Sequence, residues 1–375
     1  MIEPVVINAT NLGKYLDGLG VYTLNILREL AKMESTLRFV IYVNRSCREH
    51  VADIVFPRHC ELRWVTGAVS PDYGFRGHLL RLLCSNLLSL RHPRSLMFVT
   101  TQLEAIFFRR RQIIMIHDII PLLFKQSHKK QYYYYKYLLK GVLHRALRVL
   151  TPSEHTKELL METFALPSEK IQVIHNGVRH SLRDAARGDG EVKGEFILFT
   201  GRLVGMKNFV GLLRAFSLIK DSVPHNLVIT GHGSKRMKRQ LQKLRLADCH
   251  IEEDRVVYRG HVSAQELEQL YARASLLVFP SFYEGFGFPP LEGMAHSVPV
   301  VVSNVSCLPE VCADAALYVD PYDIGSIANG MYRMLTDATL RQTMIVKGIE
   351  RARHFRWEDS AKKHMQVFTE AVQQQ

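Results

Sequence analysis

Short runs of β-branched and aromatic residues alternate with helical patterns along the whole chain, and this alternation constrains the fold most. Most runs are unbroken apolar stretches, which is typical of strands buried on both faces of a parallel sheet. The runs are residues 5–8, 39–43, 96–100, 113–116, 148–151 and 171–175, then 196–200, 226–230, 256–258, 276–279, 298–302 and 317–320. The helical patterns between them include residues 21–32, 154–164, 209–220, 235–246, 264–274 and 324–335. The sequence therefore predicts an α/β protein with two Rossmann-like domains.

The boundary between the two predicted domains is a polar stretch over 180–194, which carries three glycines and no apolar period. A chain of 375 residues also exceeds the usual size of a single hydrophobic core. We expect an N-terminal domain over 1–180, a linker over 181–194 and a C-terminal domain over 195–356. An amphipathic helix over 357–375 follows, and it packs either on its own domain or back on the first.

Charge is distributed unevenly along the chain. Residues 1–185 hold 26 Lys and Arg against 15 Asp and Glu, whereas residues 186–375 hold 23 against 21. The basic half indicates an anionic partner such as a membrane surface, a phosphorylated substrate or nucleic acid. The six cysteines have no CxxC spacing, the start does not resemble a signal peptide, and the apolar stretch 113–124 is too short to span a membrane. We therefore expect a cytoplasmic protein.

Two cations follow the first strand of the second half. The chain reads GRLVGMKN over 201–208 and then enters a helical pattern. Gly201 permits a tight turn, while Arg202 and Lys207 place positive charges near a helix N-terminus, whose N–H groups also favour anions. The segment predicts a diphosphate site. The alternative is an ordinary loop with a solvated Arg and Lys.

A second dense motif follows the run 276–279, where the chain reads PSFYEGFGFPPLEGM over 280–294. Glu284 and Glu292 bracket a Gly-Phe-Gly turn, and the prolines after it favour a helix start. Glycines let backbone amides approach a ligand, and carboxylates accept hydrogen bonds from pairs of hydroxyls. The motif predicts a site for a sugar or a ribose. The alternative is a surface loop whose glutamate complements the helix dipole.

The first half carries weaker signals. Residues 13–21 form a glycine-rich loop after the first strand, but not the G-x-G-x-x-G fingerprint of nicotinamide sites. His117 and Asp118 end the run 113–116, where α/β folds place site residues, although a structural histidine is an equal alternative. No G-x-S-x-G motif and no Asp-x-Asp after a strand is present, so we expect neither a nucleophile nor a metal ion.

These motifs together resemble the retaining GT-B glycosyltransferases of family 4, whose fold has two Rossmann-like domains facing a central cleft. The resemblance spans nearly the whole chain, and among subgroups it is similar to bacterial mannosyltransferases that use GDP-mannose. Its motifs occur in the family's order at residues 174–178, 201–208, 228–233, 258–263, 279–299 and 308–311. Gly205, Met206 and Gly293 depart from the residues common in the family.

The resemblance implies a role for each site residue. Arg202 and Lys207 would bind the donor diphosphate, Glu284 the sugar hydroxyls and Glu292 the ribose, and His117 would contact the donor sugar. The remaining donor contacts implied are the amides of Phe286, Gly287 and Phe288, the phosphate-facing Gly18 and Gly20, and the base-cradling Gly231, His261 and Val262. The nucleotide sugar is a co-substrate, and no metal or other cofactor is implied.

Ten Lys and Arg lie within residues 109–148 against one acid, Asp118, and some are interleaved with aromatics. Leucines stand beside arginines over 76–94 in the same way. Such segments suit an anionic membrane or the diphosphate of an acceptor, and the alternative is a solvated helix face. Nucleic acid is disfavoured because no binding motif accompanies them. The candidate contact residues are Lys129, Lys130, Tyr134, Lys136 and Lys140.

We therefore expect a metal-independent, retaining hexosyltransferase that moves mannose from GDP-mannose to a lipid-linked or cell-surface glycan, in polysaccharide or lipopolysaccharide biosynthesis. We also expect peripheral attachment to the inner face of the cytoplasmic membrane. The alternatives are a nucleotide-sugar epimerase of the same architecture, whose acid and base carboxylates the sequence does not place, and a nucleic-acid-binding protein.

Overall fold

The computed structural model describes residues 3–179, 196–233, 239, 249 and 251–374. The predicted linker and nearly all of the predicted helix over 235–246 lie outside the described residues. The chain divides into two compact units. Unit 1 comprises Met1–Gly177 and Arg356–Gln375, and unit 2 comprises Val178–Phe355.

Unit 1 is built on a parallel sheet whose strand order is β3-β2-β1-β4-β5-β6-β7. Its strands are β1 Val5–Asn8, β2 Phe39–Asn44, β3 Cys60–Val65, β4 Leu96–Val99, β5 Gln112–Met115, β6 Arg148–Thr151 and β7 Ile171–Val173. The central strands are buried along their full length, as their apolar runs predict. The edge strand β3 was not predicted, because Glu61 and Arg63 interrupt its apolar residues and most of the strand is only partly buried or exposed.

Unit 2 is built on a second parallel sheet, with the order β10-β9-β8-β11-β12-β13. Its strands are β8 Phe196–Thr200, β9 Asn226–Thr230, β10 Val256–Gly260, β11 Leu276–Phe279, β12 Val300–Ser303 and β13 Leu317–Val319. These correspond to the six runs predicted in the second half. Two parallel, Rossmann-like sheets confirm the predicted α/β fold class.

Helices cover both sheets. In the described part of the chain they are α1 Gly18–Lys32, α2 Arg48–Val51, α3 Gly74–Arg91, α4 Ile120–Leu123, α5 Lys129–Tyr134, α6 Lys140–Arg145, α7 Glu154–Phe164, α8 Phe209–Ile219, α9 Ala264–Arg273, α10 Phe288–Ala295, α11 Leu308–Cys312, α12 Ile324–Thr336, α13 Ala338–Arg353 and α14 Trp357–Gln373. A π-helical turn, Tyr135–Leu139, joins α5 to α6. Among the residues described, none of the helices combines the length and the apolar character needed to cross a bilayer.

The C-terminal helix α14 packs on α1 and the sheet of unit 1. The Tyr22 hydroxyl lies 2.7 Å from Nε2 of His364, and the rings of Phe98 and Phe368 are 5.0 Å apart. Gly177 fits beneath this helix, because a Cβ there would stand 2.3 Å from the backbone nitrogen of Trp357. The last helix is therefore part of the first unit, a choice that the sequence left open.

Each sheet has one point where the strand order reverses, and ligands of open α/β sheets bind beyond the carboxyl ends of the strands there. In unit 2 this point lies between β8 and β11. The loops that leave those strands are 201–208 and 280–287, which contain the two dense motifs. In unit 1 the reversal lies between β1 and β4, next to the loops that begin at residues 9 and 100.

Candidate active site

The loops after β8 and β9 meet through two glycines. Gly201 and Gly231 have φ of +145° and +132°, which favours glycine. A Cβ on Gly231 would lie 1.9 Å from the carbonyl oxygen of Gly201, so no larger residue fits there. The Gly201 amide donates a 3.0 Å hydrogen bond to the Thr230 carbonyl. This contact fixes the course of the loop that carries Arg202, whose side chain is exposed to solvent.

Lys207 ends a short 3-10 turn that is tied to the β11 loop. The amide of Phe282 donates a 2.8 Å hydrogen bond to the carbonyl of Met206. The next residue, Asn208, adopts a left-handed conformation and caps α8, with its Oδ1 3.2 Å from the Gly211 amide. The turn is therefore anchored on both sides, although Met206 and Gly205 depart from the family pattern.

Lys207 and Glu284 come together from these two loops. Lys207 Nζ lies 2.5 Å from Glu284 Oε1 and 4.9 Å from the centroid of the Phe279 ring. The side chains are only 15% and 8% exposed, so this ion pair sits in a largely desolvated place. The pair joins the two sequence motifs, 77 residues apart, at the predicted edge of the sheet. Neither motif alone indicated the contact.

Two residues that follow β12 form hydrogen bonds with the backbone of Glu284. The Glu284 amide donates to Ser306 Oγ at 3.1 Å, and Cys307 Sγ donates to the Glu284 carbonyl at 3.3 Å. These partners were not predicted, because serine and cysteine in a loop carry no distinctive signal. They hold the strand-to-helix turn in place beneath the carboxylate.

The three predicted amide donors lie at the start of α10. Phe286 and Gly287 precede the helix, and Phe288 begins it. Gly287 has φ of +97°, and a Cβ there would stand 2.8 Å from Leu308 Cδ2. The positive end of the helix dipole lies at these residues, which favours a hydroxyl oxygen or an anion.

Glu292, on the same helix, has a buried partner. Its Oε2 accepts a 2.7 Å hydrogen bond from the Tyr271 hydroxyl, and burial raises the pKa of its carboxyl. Tyr271 was not predicted, because a tyrosine in a helix is more often a core residue. The hydrogen bond leaves Glu292 with one fixed carboxylate oxygen, and its predicted contact with a ribose stays a prediction.

The predicted base-binding residues lie after β9 and β10. The rings of His232 and His261 stack with centroids 4.7 Å apart and an angle of 15°. Burial, together with the neighbouring His232, lowers the pKa of His261. The Tyr258 hydroxyl donates to the Gly231 carbonyl at 2.8 Å. Val262 follows His261 directly, and the contacts predicted between this region and a nucleotide base stay predictions.

His117 follows β5 in unit 1, as predicted, and is buried. Its Nε2 lies 2.9 Å from the Thr100 carbonyl, which can only accept, so Nε2 carries the hydrogen. Burial lowers the pKa of His117 to about 4. The ring is therefore neutral at pH 7, and its Nδ1 carries a lone pair that suits a hydroxyl donor. The edge of the Tyr22 ring contacts it, with centroids 4.7 Å apart.

Gly18 and Gly20 lie in the first turn of α1, which begins at Gly18 rather than at the predicted residue 21, so they are helical and not part of the predicted loop. The Gly20 amide donates to Oδ1 of Asp17, the N-cap residue, at 3.1 Å. One of the helix N–H groups expected to face a phosphate therefore already has a carboxylate acceptor. The phosphate contacts predicted for the two glycines stay predictions.

The basic and aromatic segment does not lie wholly on the surface. Lys129, Lys130, Lys136 and Lys140 are exposed, but Tyr134 is 7% exposed and its hydroxyl donates to the Gln102 carbonyl at 2.7 Å. Tyr134 therefore belongs to the core of unit 1, contrary to its expected surface role. The exposed rings are those of Tyr133 and Tyr137, which are one turn apart and stack on each other.

Two family models match the chain, one in each half. Residues 16–182 match the family model described as Glycosyltransferase Family 4, and residues 184–351 match the model described as Glycosyl transferases group 1. The chain is 31% identical over 325 residues to the O-antigen chain mannosyltransferase RfbU of Salmonella typhimurium, which spans 85% of this chain and 87% of that protein.

Solved structures show the same fold. The chain is similar to sucrose-phosphate synthase of Thermosynechococcus elongatus, with a TM-score of 0.77 and 18% identity over the full length of both chains. It is also similar to HepE of Anabaena in complex with UDP and glucose, with a TM-score of 0.73 and 17% identity over 98% of this chain and 100% of that one. Together with the family models and the identity to RfbU, this shows that the chain belongs to glycosyltransferase family 4 and is a sugar-transferring enzyme of the GT-B fold.

Proposed function

We propose that the enzyme transfers mannose from GDP-mannose to a lipid-linked or cell-surface glycan, with retention of configuration and without a metal ion. The observation that carries this proposal is the desolvated pair of Lys207 and Glu284 at the strand-order reversal of unit 2. A cation for a leaving phosphate and a carboxylate for sugar hydroxyls are the two groups that such a donor needs at its reacting end.

Lys207 serves the leaving group in this proposal. When the bond between sugar C1 and phosphate oxygen breaks, negative charge develops on the diphosphate. Lys207 and the exposed Arg202 supply positive charge there in place of a metal ion. Because Lys207 contacts Glu284 in the free protein, the incoming donor exchanges this contact for one between Lys207 and its phosphate.

Glu284 then holds hydroxyls of the transferred sugar, helped by the amides at the start of α10. Retention follows a front-face path. The acceptor oxygen bonds to C1 on the face that the phosphate leaves, and the acceptor proton passes to the leaving phosphate oxygen. In unit 1, the neutral His117 has a ring nitrogen, Nδ1, that can accept a hydrogen bond from a substrate hydroxyl without adding charge.

The substrates are proposed from the relatives. RfbU is named an O-antigen chain mannosyltransferase, which supports mannose and a bacterial surface glycan. HepE is described with UDP and glucose, which supports a nucleotide sugar of the same general kind. A lipid-linked acceptor also places the enzyme at the inner face of the cytoplasmic membrane, where the exposed lysines of α5 and its continuation face an anionic acceptor or lipid.

The donor is tested by thermal unfolding with GDP-mannose, UDP-glucose, ADP-glucose and dTDP-glucose. A ligand at a hundred times its Kd stabilises the folded state by about 2.7 kcal/mol. We expect stabilisation by GDP-mannose, and a clear loss of it in Lys207→Met but not in the control Lys347→Met, which removes an exposed surface pair. Stabilisation by another sugar nucleotide instead would overturn the choice of donor. No stabilisation by any of the four would overturn the donor site.

A further inference from the structure

The helix α3 presents its leucines to solvent. Five leucines spaced by one, three or four residues lie on one side of the helix, and each is between 42% and 76% exposed. They are Leu79, Leu80, Leu83, Leu87 and Leu90, which we call the leucine face. A surface helix of a globular protein ordinarily turns such a stripe toward the core. The apolar side of this helix therefore faces solvent, and its polar side faces the interior of unit 1.

Polar contacts on the opposite side fix this orientation. Arg81 Nε lies 3.3 Å from Oε1 of the fully buried Glu104, and Arg81 Nη1 donates to the Val69 carbonyl at 2.8 Å. Ser85 Oγ accepts from Asn8 Nδ2 at 2.6 Å. A Cβ on Gly77 would stand 2.1 Å from the Ser70 carbonyl oxygen. Because these groups would lose their partners, the helix cannot rotate to bury the leucine face.

Two further apolar side chains extend the leucine face. Phe108 is 89% exposed and lies in a loop held against α3, where the Phe107 amide donates to Asn86 Oδ1 at 3.2 Å. Phe75, in the first turn of α3, is 42% exposed, and Lys130 Nζ lies 4.3 Å from its ring centroid. The exposed apolar side chains therefore extend past the five leucines into the first turn of α3, where they meet a lysine of α5, and into one neighbouring loop. Contiguous exposed patches of this kind mark interaction sites.

The charge around the leucine face is mainly positive, although the exposed Asp72 lies in the turn just before α3. From residue 73 to 117 the chain has seven arginines and one acid, the buried Glu104. The exposed cations nearest in sequence or by contact are Arg76, Arg91, Arg94, Arg110, Lys129 and Lys130. A second copy of the chain bound through a two-fold axis would set these cations against themselves, which is unfavourable. An anionic surface complements them.

We propose that the leucine face inserts into the interfacial region of an anionic lipid bilayer, with the surrounding arginines and lysines at the level of the lipid phosphates. The geometry matches that of an interfacial helix, which buries its apolar side at the acyl boundary and leaves its cations with the headgroups. This inference deepens the proposed function, because it rests on an acceptor that is lipid-linked. It also names the surface that brings the enzyme to that acceptor.

Vesicle co-sedimentation of the full chain tests the proposal. The vesicles consist of phosphatidylcholine alone, or of phosphatidylcholine with about one third phosphatidylglycerol. We expect the wild type to bind the anionic vesicles and to bind neutral ones far less. Leu83→Asp with Leu87→Asp should weaken binding to anionic vesicles by about tenfold or more. The matched control is Leu218→Asp with Val346→Asp, two residues exposed to a similar degree in unit 2, and it should bind as the wild type does.

Other outcomes would overturn the proposal. They are equal binding of the Leu83→Asp/Leu87→Asp variant, or no binding by the wild type. A wild-type dimer that this variant converts to a monomer, with vesicle binding unchanged, would assign the leucine face to a second copy. Stabilisation by GDP-mannose should be the same in the variant and the wild type, which shows that the fold and donor site are intact. Its absence in a wild type that still binds vesicles would count against the proposed donor alone.

Discussion

Replacement of Lys207 by methionine tests the active site most directly. The side chain of Met has similar length but no charge, so the leaving diphosphate loses a preorganised cation. Loss of one such group in a water-poor site lowers kcat by about a hundred- to a thousandfold. In the free protein the same change leaves Glu284, 8% exposed, without its 2.5 Å partner. Breaking a buried ion pair in this way costs about 3 kcal/mol of folding free energy.

A double variant separates the two effects. Lys207→Met combined with Glu284→Gln removes both charges, so no uncompensated charge remains in the site. Because neutral replacement of a buried pair is often harmless, stability should return close to that of the wild type. Turnover should stay low, because the diphosphate still lacks its cation and the sugar hydroxyls have lost their carboxylate.

The assay is GDP release from GDP-mannose with a lipid-linked glycan fraction from bacterial membranes as acceptor, alongside urea unfolding of each variant. Lys347→Met is the control, since its pair with Asp314 is exposed and contributes at most about 1 kcal/mol. Near-normal turnover by Lys207→Met would refute the role in catalysis. Recovery of turnover in the double variant would show that the pair matters only for folding.

Two further predictions concern buried groups. Burial holds the pKa of His117 and His364 at about 4, whereas an unfolded histidine titrates near pH 6.5. The contribution of each histidine to the free energy of unfolding should be fully present above about pH 6.5 and should fall by about 3 kcal/mol as the pH is lowered toward 4. His364→Gln should reduce this fall, which is measured by urea unfolding. Gly231→Ala should destabilise unit 2 by about 3 kcal/mol, because its Cβ would meet the Gly201 carbonyl at 1.9 Å, whereas Gly205→Ala, with open space around it, should not. Equal melting temperatures for these two variants would contradict the reasoning.

The sheets of both units could be predicted because their strands are continuous apolar runs, and such runs carry their signal locally. β3 was missed because this edge strand is only partly buried and Glu61 and Arg63 interrupt its apolar residues. The dense motifs after β8 and β11 were also local, so the candidate residues could be named from the sequence. Their contact could not, because Lys207 and Glu284 are 77 residues apart and only the sheet order brings them together.

Which side chains of a helix face the core was less predictable. Four consecutive tyrosines at 132–135 give no period, so the sequence did not show that Tyr134 points into the core while Tyr133 stays outside. On α3 an apolar stripe normally indicates the buried side, and the opposite holds because Arg81 and Ser85 have specific partners in unit 1. Partners of this kind are set by tertiary structure and leave no mark on the local pattern.

The return of α14 to unit 1 affects the order in which the chain can fold during synthesis. The strands of unit 1 leave the ribosome first, but Phe39 and Phe98 remain without the cover that Phe368 provides until that residue has been made. Unit 2 is a single continuous segment, Val178–Phe355, and is complete before that helix appears. Although domains usually fold in the order of translation, the second unit of this enzyme is the first that can close its core.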